Sequence, residues 1–88
     1  MIRILQISNP KEIRRIMQAI RVDNYGIKIM VPKSISRLVR INSLSSITAN
    51  ILKQEMLSLG ADAAVARGAL TGKAKKTDCL LMANLSQF

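Results

Sequence analysis

The strongest constraint on the fold is a run in the second half of the chain that predicts one helix followed by two strands. Ser45 or Ser46 can cap the first turn of this helix, which extends to about Leu59, and Gly60 supplies the left-handed residue that ends it. Two short apolar segments follow as strands, at residues 62–67 and 78–84. A helix that packs on paired strands predicts an α+β fold in two layers.

The first half of the chain predicts one helix between strands. Residues 2–7 (IRILQI) are rich in β-branched side chains and predict the first strand. Asn9, Pro10 and Glu12 then form a typical helix start. The spacing of apolar residues gives this helix a buried face, which consists of Ile13, Ile16, Met17 and Ile20. Its other sides are basic and polar, with Arg14, Arg15, Gln18 and Arg21.

Two more strands are predicted before the second helix. Residues 23–26 predict a turn, and the alternation at residues 27–31 predicts a strand that ends at Pro32. Residues 37–42 predict the next strand. The predicted order is therefore β-α-β-β-α-β-β in a single domain that spans residues 1–88. The first six elements match a ferredoxin-like two-layer sandwich, with an antiparallel or mixed sheet and both helices on one face.

The charge of the chain points to an anionic partner without naming one. Lys and Arg number 14 against five Asp and Glu, which gives a net charge of +9. Nucleic acid, an acidic membrane surface and anionic small molecules are the classes that such a charge attracts. The cations are scattered except in one loop, where Lys73, Lys75 and Lys76 are candidates for anion contact. Gly68 and Gly72 do not make this loop a phosphate loop, because three residues rather than four separate them.

No catalytic, cofactor or metal site is predicted. The chain has no histidine and a single cysteine, Cys79, which lies in an apolar strand and is expected to be a buried core residue. The carboxylates are spread singly and give no metal-ligand spacing. We therefore predict no stand-alone enzyme. The lone cysteine, the lack of a signal peptide and the lack of about 20 consecutive apolar residues predict a cytoplasmic protein with no membrane contact.

The second predicted helix carries more apolar residues than one face requires. Its sheet-facing side consists of Ala49, Leu52, Met56 and Leu59. Ile47 and Ile51 point away from that side, and Glu55 lies beside it. Loops or the extra strand could cover the two isoleucines. The alternative is an interface for a partner domain or a second copy, formed by Ile47, Ile51 and Glu55.

A nucleic-acid-binding or anion-binding module is the alternative function. RNA-recognition domains share the ferredoxin-like order, but they stack bases on aromatic side chains of central strands. Residues 2–7 and 37–42 contain no aromatic residue, so this stacking platform is absent and only phosphate contact is left. A small-molecule regulatory domain is a third possibility, for which no convincing glycine-rich ligand turn is present.

Residues 47–87 resemble a known domain. The runs ILKQEMLSLGADAAVARGAL and TDCLLMANLSQF are similar to the N-terminal domain that precedes the catalytic barrel in some bacterial and archaeal dihydropteroate synthases. This chain has Gly60-Ala61 where that family commonly has two glycines. It has Leu81-Met82-Ala83-Asn84 where the family often has Leu-Met-Gly-Thr. The resemblance covers the second half of the chain; the first half agrees mainly in element order.

The resemblance implies a non-catalytic accessory domain. Dihydropteroate synthases condense 4-aminobenzoate with a dihydropterin pyrophosphate in folate synthesis, on a TIM barrel with magnesium. The run Asn-Val-Thr-Pro-Asp-Ser-Phe that opens the barrel is absent from this sequence, so no catalytic residue carries over and magnesium is expected only in the parent enzyme. The implied partner is the TIM barrel, with a homodimer as a further possibility. The implied role is docking or dimerisation.

Overall fold

The computed structural model describes residues 1–88 and consists of four helices and three strands. In chain order these are α1 Pro10–Ala19, α2 Asn24–Lys33, β1 Ser36–Ser45, α3 Ser46–Ser58, β2 Asp62–Val65, α4 Arg67–Thr71 and β3 Lys76–Asn84. The predicted α+β class is confirmed. The element order differs from the prediction in the first third of the chain, where two helices replace the predicted strand–helix–strand.

The three strands form one antiparallel sheet in the order β1-β3-β2. Because β1 and β2 both run antiparallel to β3, they are parallel to each other, and α3 connects them. This split β-α-β unit, with β3 between its two strands, corresponds to three of the four strands and one of the two helices of a ferredoxin-like sandwich. The complete ferredoxin-like order is not confirmed. A register shift interrupts β1 between Ile41 and Leu44, where Ser43 has a φ of 58°.

The strand predicted at residues 2–7 is not present. This segment has no regular secondary structure, and Ile2 and Ile4 are exposed. A strand exists only with a neighbour that satisfies its backbone hydrogen bonds, and β-propensity alone does not supply that neighbour. Only Ile7 packs against a buried cluster.

The strand predicted at residues 27–31 is instead the middle of α2. The predicted turn at residues 23–26 starts this helix, because the Asp23 carboxylate accepts a hydrogen bond from the Gly26 N–H at 3.0 Å. Ile27 and Val31, four residues apart, are buried together on one side of the helix. Pro32 lies in the last turn, where a helix loses only one backbone hydrogen bond to it.

The predicted start signals of α1 and α3 and the predicted end signal of α3 are confirmed, whereas Ile20, predicted on the buried face of α1, follows the helix and is exposed. Asn9 caps α1 by accepting from the Lys11 N–H at 2.9 Å, and Ser45 caps α3 by accepting from the Thr48 N–H at 3.1 Å. Gly60 ends the α3 region with a φ of 80°. The predicted strand at residues 37–42 is longer, as β1. The one at residues 62–67 is shorter, because the one-turn helix α4 begins at Arg67.

Two separate apolar clusters hold the molecule together. The helical unit, residues 1–35, is built on Ile13, Ile27, Val31 and Ile35. The sheet unit, residues 36–88, is built on Met56, Ala63, Cys79, Leu81 and Ala83. A hydrogen bond of 2.9 Å from the Leu85 N–H to the Ile35 carbonyl joins the two units. The Cα radius of gyration is 17.0 Å, against about 12 Å for a compact chain of this length, so the molecule is elongated.

Candidate docking face and anion-contact residues

Helix α3 presents one side to the sheet and the opposite side to solvent. Ala49 and Met56 are buried, as predicted; Met56 belongs to the cluster of the sheet unit, and Leu52 packs against that cluster. Leu59 follows the helix and is exposed, so it does not belong to this side. The capping hydrogen bonds of Ser45 and the register of β1 on β3 fix the direction in which the helix leaves the sheet.

Ile47 and Ile51 lie on the solvent side of α3, with 77% and 59% of their surface exposed. At about 100° per residue, both are close to opposite the buried Ala49 and Met56. No loop or strand of this chain covers them, so the possibility that loops or an extra strand bury the two isoleucines is excluded. Glu55, one turn further along, is exposed and makes no ion pair. We call Ile47, Ile51 and Glu55 the outer face of α3.

The three lysines of the predicted anion-contact loop are all exposed, and one of them lines a cavity beside the loop. Backbone hydrogen bonds attach this loop to the start of α3: the Ser46 N–H donates to the Lys75 carbonyl at 2.9 Å, and the Ser46 hydroxyl donates to the Ala74 carbonyl at 2.6 Å. A cavity of about 360 Å³ lies beside this attachment. Lys75 lines it, whereas Lys73 and Lys76 do not.

Two acidic side chains of the sheet unit are paired with bases. The Ser43 N–H, at 3.0 Å, and then the Arg40 guanidinium, at 2.9 Å, hold the pKa of Asp78 below its ordinary value. The Ala63 N–H and the Lys53 ammonium lower the pKa of Asp62 in the same order of importance. Both carboxylates are structural: one holds the irregular part of β1, and the other ties α3 to β2.

The remaining features add no catalytic constellation. Cys79 is buried, as predicted, and burial raises the pKa of its thiol. No group of three or more His, Cys, Asp or Glu side chains is placed to hold a metal. None of the helices combines the length and the apolar character that crossing a membrane requires. The largest cavity, about 580 Å³ at one end of the sheet, is lined by both Arg37 and Asp62 and by none of the predicted site residues.

The sequence missed one group of polar residues that the fold brings together. A groove of about 300 Å³ runs between α1 and α2, and its polar lining consists of Arg14, Gln18, Asn24 and Lys28. Because residues 27–31 were predicted to form a strand, Lys28 was not expected to lie near Arg14. The cap signal of Asp23, together with the four-residue spacing of Ile27 and Val31, could have identified α2 and therefore the groove.

Comparison with known proteins gives no family assignment. No protein-family model matches this chain, and neither a curated protein nor a solved structure matches it.

Proposed function

We propose that this chain is a non-catalytic docking domain of a dihydropteroate synthase-type protein, and that it contacts the catalytic barrel through the outer face of α3. The observation that carries the proposal is the exposure of Ile47 and Ile51 directly opposite the buried side of their helix. Dimerisation through the same face is the other form of the proposal. Pterin chemistry and magnesium belong to the barrel in both forms.

The energetic reason is the apolar area that the two isoleucines leave in water. Burying an isoleucine side chain stabilises an assembly by about 1.5–3 kcal/mol, so burial of both side chains would contribute substantially to the free energy of docking. The neighbouring Glu55 has no intramolecular ion pair and is placed at the edge of the apolar pair. An apolar centre with a polar edge is the usual composition of a protein–protein interface.

The ferredoxin-like sandwich is part of the same proposal. The split β-α-β unit supplies three of its four strands, and the outer edge of β1 is free to accept the fourth. Residues 2–7 have the β-propensity to occupy such an edge once the domain is docked. A cytoplasmic location also belongs to the proposal, since the single buried thiol of Cys79 suits a reducing compartment.

The test begins with the gene. We expect the reading frame to continue past the codon for Phe88 into a barrel that opens with Asn-Val-Thr-Pro-Asp-Ser-Phe, whereas a stop codon at that point contradicts the proposal. In the continuous protein, Ile47→Ser with Ile51→Ser should release the domain and increase hydrogen exchange at the barrel surface it covered. The matched control is Leu38→Ser, an exposed apolar residue on the opposite side of the sheet.

A stand-alone anion-binding or nucleic-acid-binding module is the second candidate. The observation that favours it is the shortage of internal partners for the positive charge. Only Arg40 and Lys53 form ion pairs, so 12 of the 14 basic side chains have no acidic partner within the chain. A filter-binding assay with RNA and DNA at two salt concentrations tests this candidate, because phosphate contacts make the affinity fall as salt rises.

A further inference from the structure

The groove between α1 and α2 combines positive charge with amide groups. Arg14 and Gln18 contribute from α1, and Asn24 and Lys28 contribute from α2. Pairs of residues three or four apart lie on the same side of a helix, which explains why each helix presents two groove residues together. Guanidinium and ammonium groups bind phosphate oxygens, and side-chain amides can both donate to and accept from sugar hydroxyls and base edges.

The cations of the groove are available to a ligand. Neither Arg14 nor Lys28 forms an ion pair or a hydrogen bond within the chain. Lys11 and Arg15 are also unpaired, and they continue the positive charge along the outer side of α1. Of the nearest acidic residues in sequence, Glu12 is on another side of α1, and the Asp23 carboxylate is engaged in capping α2, where it accepts from the Gly26 N–H.

An exposed aromatic side chain lies on α2, next to one of the groove residues. Tyr25 is 74% exposed and sits three residues before Lys28, so the two side chains are neighbours on the helix surface. Tyr25 does not line the groove itself, but of the two aromatic residues in the chain it is the one next to a groove cation. The lack of aromatic residues in residues 2–7 and 37–42 excludes base stacking on those segments, but it does not exclude stacking on α2. A flat ring beside unpaired cations is the combination on which single-stranded nucleic acids stack.

We propose that the groove between α1 and α2 binds single-stranded nucleic acid. Arg14 and Lys28 contact phosphates, the amides of Gln18 and Asn24 contact the sugar or base edges, and one base stacks on Tyr25. A single strand is favoured over a duplex because stacking on a side chain requires a base that is free of its neighbours. This site is independent of the outer face of α3, so it goes beyond the docking function and does not depend on it.

The first experiment measures the affinity of the chain for a fluorescein-labelled oligothymidylate of about 15 nucleotides, a length that covers the usual single-strand site. Fluorescence anisotropy is recorded between about 50 and about 200 mM salt, over which phosphate contacts weaken measurably. Arg14→Gln with Lys28→Gln should reduce the salt slope by about 1.4, since each lost phosphate contact on a single strand removes about 0.7. Both side chains are exposed, and circular dichroism verifies that the variant folds.

The control variant distinguishes a site from general charge attraction. Lys73→Gln with Lys75→Gln and Lys76→Gln removes three charges from the sheet unit rather than two from the groove. A groove site predicts that the two-charge variant loses more affinity than the three-charge variant. If the loss instead follows the number of charges removed, the proposal is overturned.

The stacking contact has its own test. Tyr25→Leu should lower the affinity by about tenfold with the salt slope unchanged, because a stacking contact carries no charge, and Tyr25→Phe should bind like the original chain. Polyglutamate and inorganic polyphosphate serve as competitors. If either competes as strongly as the oligonucleotide, or if a duplex of the same length binds more tightly, the single-strand assignment is wrong.

Discussion

The two units of this chain differ in how their structure is determined and in the surface they leave free. In the sheet unit, β3 pairs with a strand on each side and α3 covers one face, so local patterns and long-range pairing agree. In the helical unit, two ten-residue helices share a cluster of four buried residues. The sheet unit exposes apolar side chains on α3, whereas the helical unit exposes a basic groove. One small chain therefore presents an apolar surface on one unit and a basic surface on the other.

Net charge does not distinguish the units, but its arrangement does. Residues 1–35 contain seven basic and two acidic side chains, for a net charge of +5, and residues 36–88 contain seven and three, for +4. Both ion pairs of the molecule lie in the sheet unit, where they hold β1 and β2 in place. The helical unit has none, so its cations are free for a ligand.

The largest expected effect is the loss of stability caused by a cavity in the sheet unit. Met56→Ala should lower the free energy of unfolding by about 2–5 kcal/mol, because Met56 fills the space between α3 and the sheet. Met56→Leu keeps the volume and should cost less than about 1.5 kcal/mol. Urea unfolding followed by circular dichroism measures both variants.

The same variant tests whether the clusters are separate. Hydrogen exchange in Met56→Ala should increase at the amides of β1 and β3 and stay unchanged in α1 and α2. An equal increase in both units would show that they unfold as one cooperative unit and would contradict the independence of the two clusters.

A smaller effect is expected from removing the two helix caps. Asp23→Ala in the helical unit and Ser45→Ala in the sheet unit should each cost about 1 kcal/mol, because each leaves a backbone N–H without its side-chain acceptor. Exchange should increase at α2 in the first variant and at α3 in the second. Asp23→Asn and Ser45→Asp keep a capping oxygen and are the matched controls. Unchanged exchange at α2 in Asp23→Ala would contradict the role of Asp23 in stabilising the start of this helix.

The smallest effect is an acid dependence confined to the sheet unit. The Ser43 N–H and Arg40 hold the pKa of Asp78 below its ordinary value of 3.8, so the ionised form stabilises the fold. This contribution is present above the ordinary pKa and is lost as the pH falls through the lowered one. Amide signals around Ser43, followed by NMR between about pH 5 and pH 2, should report the loss. Asp78→Asn should flatten the profile, and identical profiles would contradict the role of Asp78.

Much of the sheet unit could be predicted because its signals are local. The Ser45 cap, the Gly60 stop and the alternating β3 each specify an element without reference to the rest of the chain. The strand prediction for residues 27–31 was wrong because the spacing of apolar residues fits both periods. Ile27, Ile29 and Val31 fit the period of a strand, and Ile27 and Val31 also fit the period of a helix. The Asp23 cap signal favours the helix, and packing of Ile27 and Val31 in one cluster with Ile13 stabilises it. The strand predicted at residues 2–7 is not present because this segment pairs with no strand in the structure, although one edge of β1 is free.

The candidate sites follow the same division. The outward direction of Ile47 and Ile51 could be predicted from helical geometry alone, since their neighbours Ala49 and Met56 mark the buried side. The position of Lys75 in the cavity beside α3 could not, because hydrogen bonds from Ser46 to two carbonyls attach that loop to the helix. The groove could not be predicted either, because it requires Lys28 to lie on a helix and residues 27–31 were predicted to form a strand.

The most direct test of the docking face is the reactivity of a thiol placed on it. Cys79 is buried, so Ile51→Cys adds a single accessible thiol, and Leu38→Cys does the same on the opposite side of the sheet. Both should react quickly with a thiol reagent in the chain of residues 1–88. In the protein that continues into the barrel, the predicted result is slow labelling at Ile51→Cys and fast labelling at Leu38→Cys. Equal rates at Ile51→Cys in the two proteins, or protection only at Leu38→Cys, would contradict docking through α3.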